Sequence, residues 1–374
     1  MKFGLIFELQ VPKPWIARSE YDIFHQAADQ VVLAEQNGFE YAWVVEHHFL
    51  TEFAHSCAPE VWLGSLASRT STIRLGHGVV LMEGKVNHPI RVAERLATLD
   101  IMSNGRAELG TGRSSNPWQL EPFGVDLAET REEWEEAVDI IPKMWTSDWF
   151  SHKGKFWEIP ERNILPKPVQ KPHPPLWMAC AQPESFTIAG QHGIGALCFA
   201  IAPPGYLKER VADYRKAIVS PTRQAGAYKH EQVGAFAMTY CDEKDSLARE
   251  LGGPNALWYF ATNKKLYDPS WQRIDEKDVP PSYRYHKLNV TPADSAMQSK
   301  QTDYNEQINT GAYCIGDPDA CIRIIEMYQD AGADQILCMM QVGRIPHEKL
   351  MNSIRLFGKY VIPHFKEKAR RRGS

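Results

Sequence analysis

The sequence predicts an α/β fold, a single (β/α)8 TIM barrel over residues 1–374 with a long irregular insertion after the seventh strand. Three observations predict it. Short, nearly all-apolar runs alternate with amphipathic helical stretches from one end of the chain to the other, the pattern of a parallel sheet covered by helices. Eight such runs can be counted, and a closed barrel is the simplest arrangement of that number. The competing doubly wound sheet carries a GxGxxG turn after its first strand, and none follows Phe7.

The first run, Phe3–Phe7, precedes a helix whose start is marked by the capping-box spacing Ser19-x-x-Asp22 and whose end is marked by Asn37-Gly38. Between the marks, Ile23, Ala27, Val31 and Ala34 share one helical face. Tyr41–Val45 is the second strand, followed by a helix near Pro59–Arg69, and Ile73–Leu81 is the third. A helix over Pro89–Met102 opens on proline and stops at Ser103-Asn104-Gly105. Arg106–Gly110 is strand four, leading into a loop and the Glu-rich helix Glu129–Trp145. A hairpin-like excursion around Lys155–Ile159 and a proline-rich linker (Pro166 to Pro175) precede strand five, Leu176–Ala179. The alternation continues with a helix at Glu184–Gln191, strand six at Ala196–Ile201, a helix at Tyr206–Ile218 and strand seven at Gly234–Tyr240. From Gly252 to Thr310 no period is sustained, which predicts the irregular insertion and a mobile lid. A helix at Pro318–Ala331 follows directly, then strand eight at Gln335–Met340 and a last helix with Leu350, Ile354, Phe357 and Val361 on one face.

Composition narrows the function. With 43% hydrophobic, 24% charged and 11% aromatic residues, the chain is neither disordered nor collagen-like. Lys plus Arg number 42 against 46 acids, a net charge of −4 with the basic residues scattered, so no nucleic-acid partner is expected. The basic run Lys366–Arg372 reads as a solvated end. No apolar stretch approaches the roughly 20 residues that span a bilayer, and Glu8 interrupts the N-terminal run before a signal sequence could form. No membrane partner and a cytoplasmic location are therefore expected. The seven cysteines are widely spaced without a CxxC, indicating neither a disulfide framework nor a zinc ribbon.

The candidate chemistry lies after strands. Glu46-His47-His48-Phe49 follows strand two and places a carboxylate and two imidazoles where a barrel keeps its active site. Adjacent residues at a strand end point apart, and EHHF is not HExxH, so no metal is expected. After strand four, Gly110-Thr111-Gly112-Arg113-Ser114-Ser115 combines glycines, a permanent cation and two hydroxyls, a set suited to phosphate. Ala179–Ser185 opens a helix, so Ser185 and nearby amides can add to the same anion site. Together the two loops imply one phosphorylated cofactor.

With EHHF, GTGRSS and the stretch NHPIRVAERLATLDIMSNGR in this order and spacing, the chain resembles the bacterial luciferase family of flavin-dependent monooxygenases, nearly end to end. The resemblance implies a barrel that takes reduced FMN (FMNH2) from a separate NAD(P)H:flavin reductase and reacts it with O2, through a C4a-(hydro)peroxyflavin, to oxygenate a small organic substrate. It implies that Arg113 and Ser185 hold the FMN phosphate, with Ser115 at a backbone contact and Gln182 beside it. Glu46 and His47 match the catalytic pair, and a non-proline cis peptide at Gly78–Val79 would lie against the flavin ring. Subunit packing through the second and third helices, here taken as a homodimer, is also implied. Departures are Gly112 in place of a reactive cysteine, Ala181-Gln182 in place of a Glu-Ser pair, a longer loop at Met82–His88, and His77 at a small-residue position. They surround the ring and the substrate space, to which His48, His77 and Trp258 are assigned, and they count against an aldehyde substrate and light emission. The aromatic insertion (Tyr259, Phe260, Trp271, Tyr283, Tyr285) would keep the site dry. Two other readings stay open: a catalytically silent flavin-binding paralogue, and a deazaflavin-dependent dehydrogenase on the same barrel.

Overall fold

In the computed structural model, which describes residues 1–199, 201–286 and 303–373, eight parallel strands close into a ring. They are β1 (Lys2–Phe7), β2 (Tyr41–Val44), β3 (Arg74–Leu81), β4 (Ala107–Gly112), β7 (Leu176–Cys180), β8 (Gly195–Cys198), β9 (Val233–Cys241) and β11 (Gln335–Met339). β5 (Phe150–Lys153) and β6 (Glu158–Arg162) form a separate antiparallel pair at the expected excursion. The ring closes where Val233–Ala235 of β9 pairs with β8, while the other edge of β9 pairs with β11. Nearly every strand residue is buried, because helices cover the outside and side chains fill the inside.

The filling is dominated by two indoles. Trp43 and Trp177, both fully buried, cross at 86° with ring centroids 5.5 Å apart. Glycines on facing strands make room for them. A Cβ at Gly76 would stand 2.2 Å from the Trp43 ring, and one at Gly195 would stand 2.4 Å from Trp177. Below them, Glu108 pairs with Arg74 and accepts a 2.6 Å hydrogen bond from Trp177 Nε1. The interior is therefore plugged, and only the rim formed by the carboxyl ends of the strands is left for a site.

The outer helices follow the expected periodicity: α1 (Ser19–Gln36), α2 (Pro59–Ala67), α3 (Pro89–Met102), α5 (Thr130–Thr146), α6 (Pro183–Gln191) and α7 (Pro204–Val219), with the short α4 (Pro117–Leu120) between β4 and α5. Three sequence expectations need correction. Ser19 does not cap α1: the helix begins at that residue, and Ser19 Oγ instead accepts from Ile16 N–H at 2.9 Å. Tyr313–Gly316 is a strand, β10, that adds to β9 outside the ring; at four residues it is too short to show a period.

The insertion is also more regular than its sequence. Asp245–Gln272 is one 28-residue helix, α8. Gly252, Gly253 and Pro254 suggest a turn, but the two glycines are points of close approach. A Cβ at Gly252 would come 3.0 Å from Ile315, and one at Gly253 would come 2.3 Å from Tyr304. Short 3₁₀ turns at Glu276–Asp278 and Pro281–His286 follow, and the chain returns through a helix at Tyr304–Asn309. Residues 287–302 of the expected lid lie outside the described residues. Among the described residues no helix is long and apolar enough to cross a membrane, and no cluster of side chains could hold a metal ion.

Gly76→Ala should lower the unfolding free energy by about 3 kcal/mol, because the indole it strikes has nowhere to move. Gly64→Ala on α2, where a Cβ meets nothing within 4 Å, should be neutral or stabilising. Urea midpoints of the two variants measure this, and equal midpoints would contradict the packing argument.

Candidate active site

The rim is assembled from strand ends. Past β2, Glu46 turns back onto β3: its Oε2 accepts from Leu81 N–H at 2.9 Å, and both oxygens accept from Asn87 Nδ2, at 2.8 and 3.0 Å. His48 Nε2 lies 3.2 Å from Glu46 Oε1. His47 points elsewhere, its Nδ1 3.1 Å from Gln119 Oε1 on α4 and its ring at an angle to Phe53. Adjacent imidazoles diverge as side-chain alternation requires. The imidazole partner of Glu46 is therefore His48, and the implied Glu46–His47 pair is not a direct contact. Burial pushes His47 down to about 4, against the opposing effect of its hydrogen bond to Gln119, so the ring is neutral at pH 7.

The loop expected to take an anion lies across the rim. β4 runs on through Gly112, so the loop begins only at Arg113. Arg113 Nη1 donates to Thr130 Oγ1 at 2.9 Å and to Ser282 Oγ at 3.3 Å, and the guanidinium lies over the Tyr283 ring. Arg131, in the first turn of α5, lies within electrostatic reach of Arg113, of Glu184 at the start of α6 and of Glu135. Burial, reinforced by the Arg113 charge, pulls Arg131 below its usual range, and its buried Nη1 has no hydrogen-bond partner among the described residues. Ser185 is buried in the first turn of α6 and donates to the carbonyl of Gln182, the residue just before that helix. Ser115 offers its carbonyl to Trp271 Nε1 at 2.9 Å, and the Tyr283 hydroxyl donates to the Ser114 carbonyl at 2.9 Å. Aromatic residues of the insertion thus grip the loop that carries Arg113.

Between these corners the Gly78–Val79 peptide is cis. The Val79 side chain packs against the end of β4, where a Cβ at Gly112 would come 2.4 Å from its Cγ2. Glycine in place of cysteine at 112 is thereby a packing requirement of this chain. Trp258, half-buried on α8, packs beside Gly343 after β11. His77 does not face the mouth. It lines a small cavity with Glu60, Val92, Arg95 and Leu96 on the side covered by α2 and α3, because Gly76 takes the inward position next to it.

Sequence reasoning missed four residues here: Arg131, Gln119, Glu8 and Glu83. Burial pushes Glu8, one step beyond β1, up to about 8; it accepts from the Tyr259 hydroxyl at 2.8 Å. Its place after an apolar barrel strand was a usable signal. Burial likewise pushes Glu83 up to about 8; its Oε1 accepts from Ser114 N–H at 2.8 Å, and its Oε2 has no partner among the described residues. Both carboxyls keep their protons at neutral pH.

A filled barrel whose polar groups gather at the carboxyl ends of its strands is the architecture of a barrel enzyme. Residues 1–335 match the family model of luciferase-like monooxygenases, and the chain belongs to that family of oxidoreductases. It is similar to the oxygenase component of flavin-dependent trigonelline monooxygenase from Acinetobacter baylyi, 30% identical over 195 residues that cover 52% of each chain. It also matches an F420-dependent glucose-6-phosphate dehydrogenase from Amycolatopsis mediterranei, 30% identical over 46% of this chain and 52% of that one. Among solved structures, the FMN-bound oxygenating constituent of 3,6-diketocamphane monooxygenase from Pseudomonas putida shares the fold with a TM-score of 0.74 at 20% identity, covering 97% of this chain and 98% of that one.

A carboxyl whose folded value is raised from 4.5 to about 8 contributes stability that is complete below pH 4.5 and is lost as pH rises through 8. Wild type should therefore lose stability relative to Glu83→Gln between about pH 5 and pH 8, by more than about 1 kcal/mol. Urea unfolding of the two proteins across that range tests it, and a pH-independent difference would show that Glu83 is ionised when folded.

Proposed function

We propose that this protein is the oxygenase component of a two-component flavin-dependent monooxygenase. It uses reduced FMN, delivered by a separate NAD(P)H:flavin reductase in the cytoplasm, together with O2, and transfers one oxygen atom to a small organic substrate. The observation that carries this reading is the buried, unpartnered guanidinium nitrogen of Arg131 beside Arg113. Burial and the Arg113 charge outweigh the nearby carboxylates Glu184 and Glu135 at Arg131, neither of which forms a hydrogen-bonded ion pair with it among the described residues, and a phosphate dianion in this corner would offset that cost. Ser115, Gln182 and Ser185 complete that corner, and the Gly78–Val79 bond with the Val79 side chain supports the ring of the same cofactor in the mouth.

Reduced flavin, once bound, supplies the two electrons with which O2 is activated. The chain does the rest. Arg113 and Arg131 bind and neutralise the phosphate, while Trp271 and Tyr283 close the loop against water. His47, neutral at pH 7, accepts a proton from the substrate. Glu46 fastens the end of β2 to β3 and orients His48 toward the substrate space that Trp258 borders. The exposed apolar side chains Val61 on α2 and Ile101 and Met102 on α3 supply the face through which two copies pack.

The F420-dependent relative makes deazaflavin the reading to test against. Reduced FMN should bind while the deazaflavin cofactor does not, and Arg113→Ala or Arg131→Ala should weaken FMN by about 2–4 kcal/mol while leaving phosphate-free riboflavin unaffected. Equal losses for both flavins, or preferential deazaflavin binding, would overturn the assignment. With reductase, NADH and 18O2, His47→Ala should keep its flavin affinity while label incorporation into substrate falls about 10²–10⁴-fold.

A further inference from the structure

Gln119 is fully buried on α4, and its side-chain oxygen receives two groups. The backbone N–H of His48 donates to Oε1 at 2.8 Å. A backbone amide can only donate, so the atom facing it is the oxygen, and the orientation of the Gln119 amide follows without reference to the imidazole. Its nitrogen then faces the phosphate loop, donating to Ser114 Oγ at 3.2 Å, and that hydroxyl donates onward to the Asn116 carbonyl at 3.3 Å. His47 Nδ1 lies 3.1 Å from the same Oε1. An amide oxygen accepts and never donates, so Nδ1 must carry the hydrogen.

We propose that Gln119 is a positioning residue that holds His47 as its Nδ1–H tautomer and leaves Nε2 as the proton acceptor at the barrel mouth. Nε2 has no hydrogen-bond partner among the described residues, and the ring is only half-buried, so that nitrogen is the one that can meet a substrate. The other titratable groups around the ring do not compete for Nδ1. His48 turns its own ring to Glu46, Tyr267 of α8 reaches Gln119 and Ser115, and Glu83 is spent on the Ser114 amide. A continuous path, Ser114 to Gln119 to His47, thus joins the loop that carries Arg113 to the imidazole. The inference rests on the reading of His47 as the proton-transfer residue, but the tautomer itself can be observed without turnover.

The test is ring-nitrogen NMR of the full-length, 15N-histidine-labelled protein, with His47 assigned by the signals lost in His47→Asn. Wild type should show a protonated Nδ1 and an unprotonated Nε2, and Gln119→Leu should lose that preference. Gln119→Glu keeps an acceptor, so it should retain Nδ1–H and move the His47 midpoint upward by at least one pH unit from about 4. Under turnover, Gln119→Leu should lower kcat by about tenfold or more with KM and flavin affinity unchanged, and Gln119→Glu should recover part of it with a displaced acid limb. A protonated Nε2 in wild type, or an unchanged tautomer in Gln119→Leu, overturns the proposal. If Gln119→Leu does not fold, the Gln119→Glu titration decides alone: an unmoved midpoint overturns it. The expected tautomer in a protein that fails to oxygenate would refute the monooxygenase reading while leaving the role of Gln119 intact.

Discussion

The crossed indoles of Trp43 and Trp177 set the level of everything above them. Two fully buried tryptophans occupy the middle of the ring because glycines on neighbouring strands give up their side-chain volume. With the interior full, polar groups that belong to the barrel are driven to its ends. At the lower end Arg74, Glu108 and Gln170 satisfy one another, which is a stability arrangement. At the upper end the groups are less completely matched, and that imbalance marks the site.

The imbalance has a single physical cause. Burial disfavours charge, so groups that cannot find an opposite charge change their protonation state or wait for a ligand. Glu8 and Glu83 hold protons and His47 gives one up, since neutrality is the cheaper state for each in the dry rim. Arginine has no such option at accessible pH, which is why Arg113 and Arg131, within electrostatic reach of each other, both keep their charge while the buried carboxyls do not.

The insertion belongs to this site mechanically. α8 lies across the rim, Tyr259 reaches Glu8, and Trp271 with Tyr283 holds the Ser114–Ser115 carbonyls. The carbonyls that fix this loop and the hydroxyl that accepts from Gln119 belong to the same two residues. The positions of the insertion, the Ser114–Ser115 loop and the His47 imidazole are therefore one coupled arrangement.

Much of this was legible in the letters. Alternation of apolar runs and helical stretches counted eight strands, since parallel barrel strands buried on both faces leave a continuous apolar signature. Residues adjacent to strand ends, such as Glu46, His47 and Arg113, could be nominated because topology alone sends strand ends to the mouth. What stayed hidden depended on contacts between distant segments. α8 could not be read because its glycines serve Tyr304 and Ile315, and β10 was too short to register. His77 was misplaced because one step in register exchanges the inside of a barrel for the outside. Arg131 and Gln119 carry no local pattern at all. The sequence determined which strand ends would meet at the mouth, whereas the partner of each polar group, and with it each proton, was decided only by which distant side chain folding brought within hydrogen-bond reach.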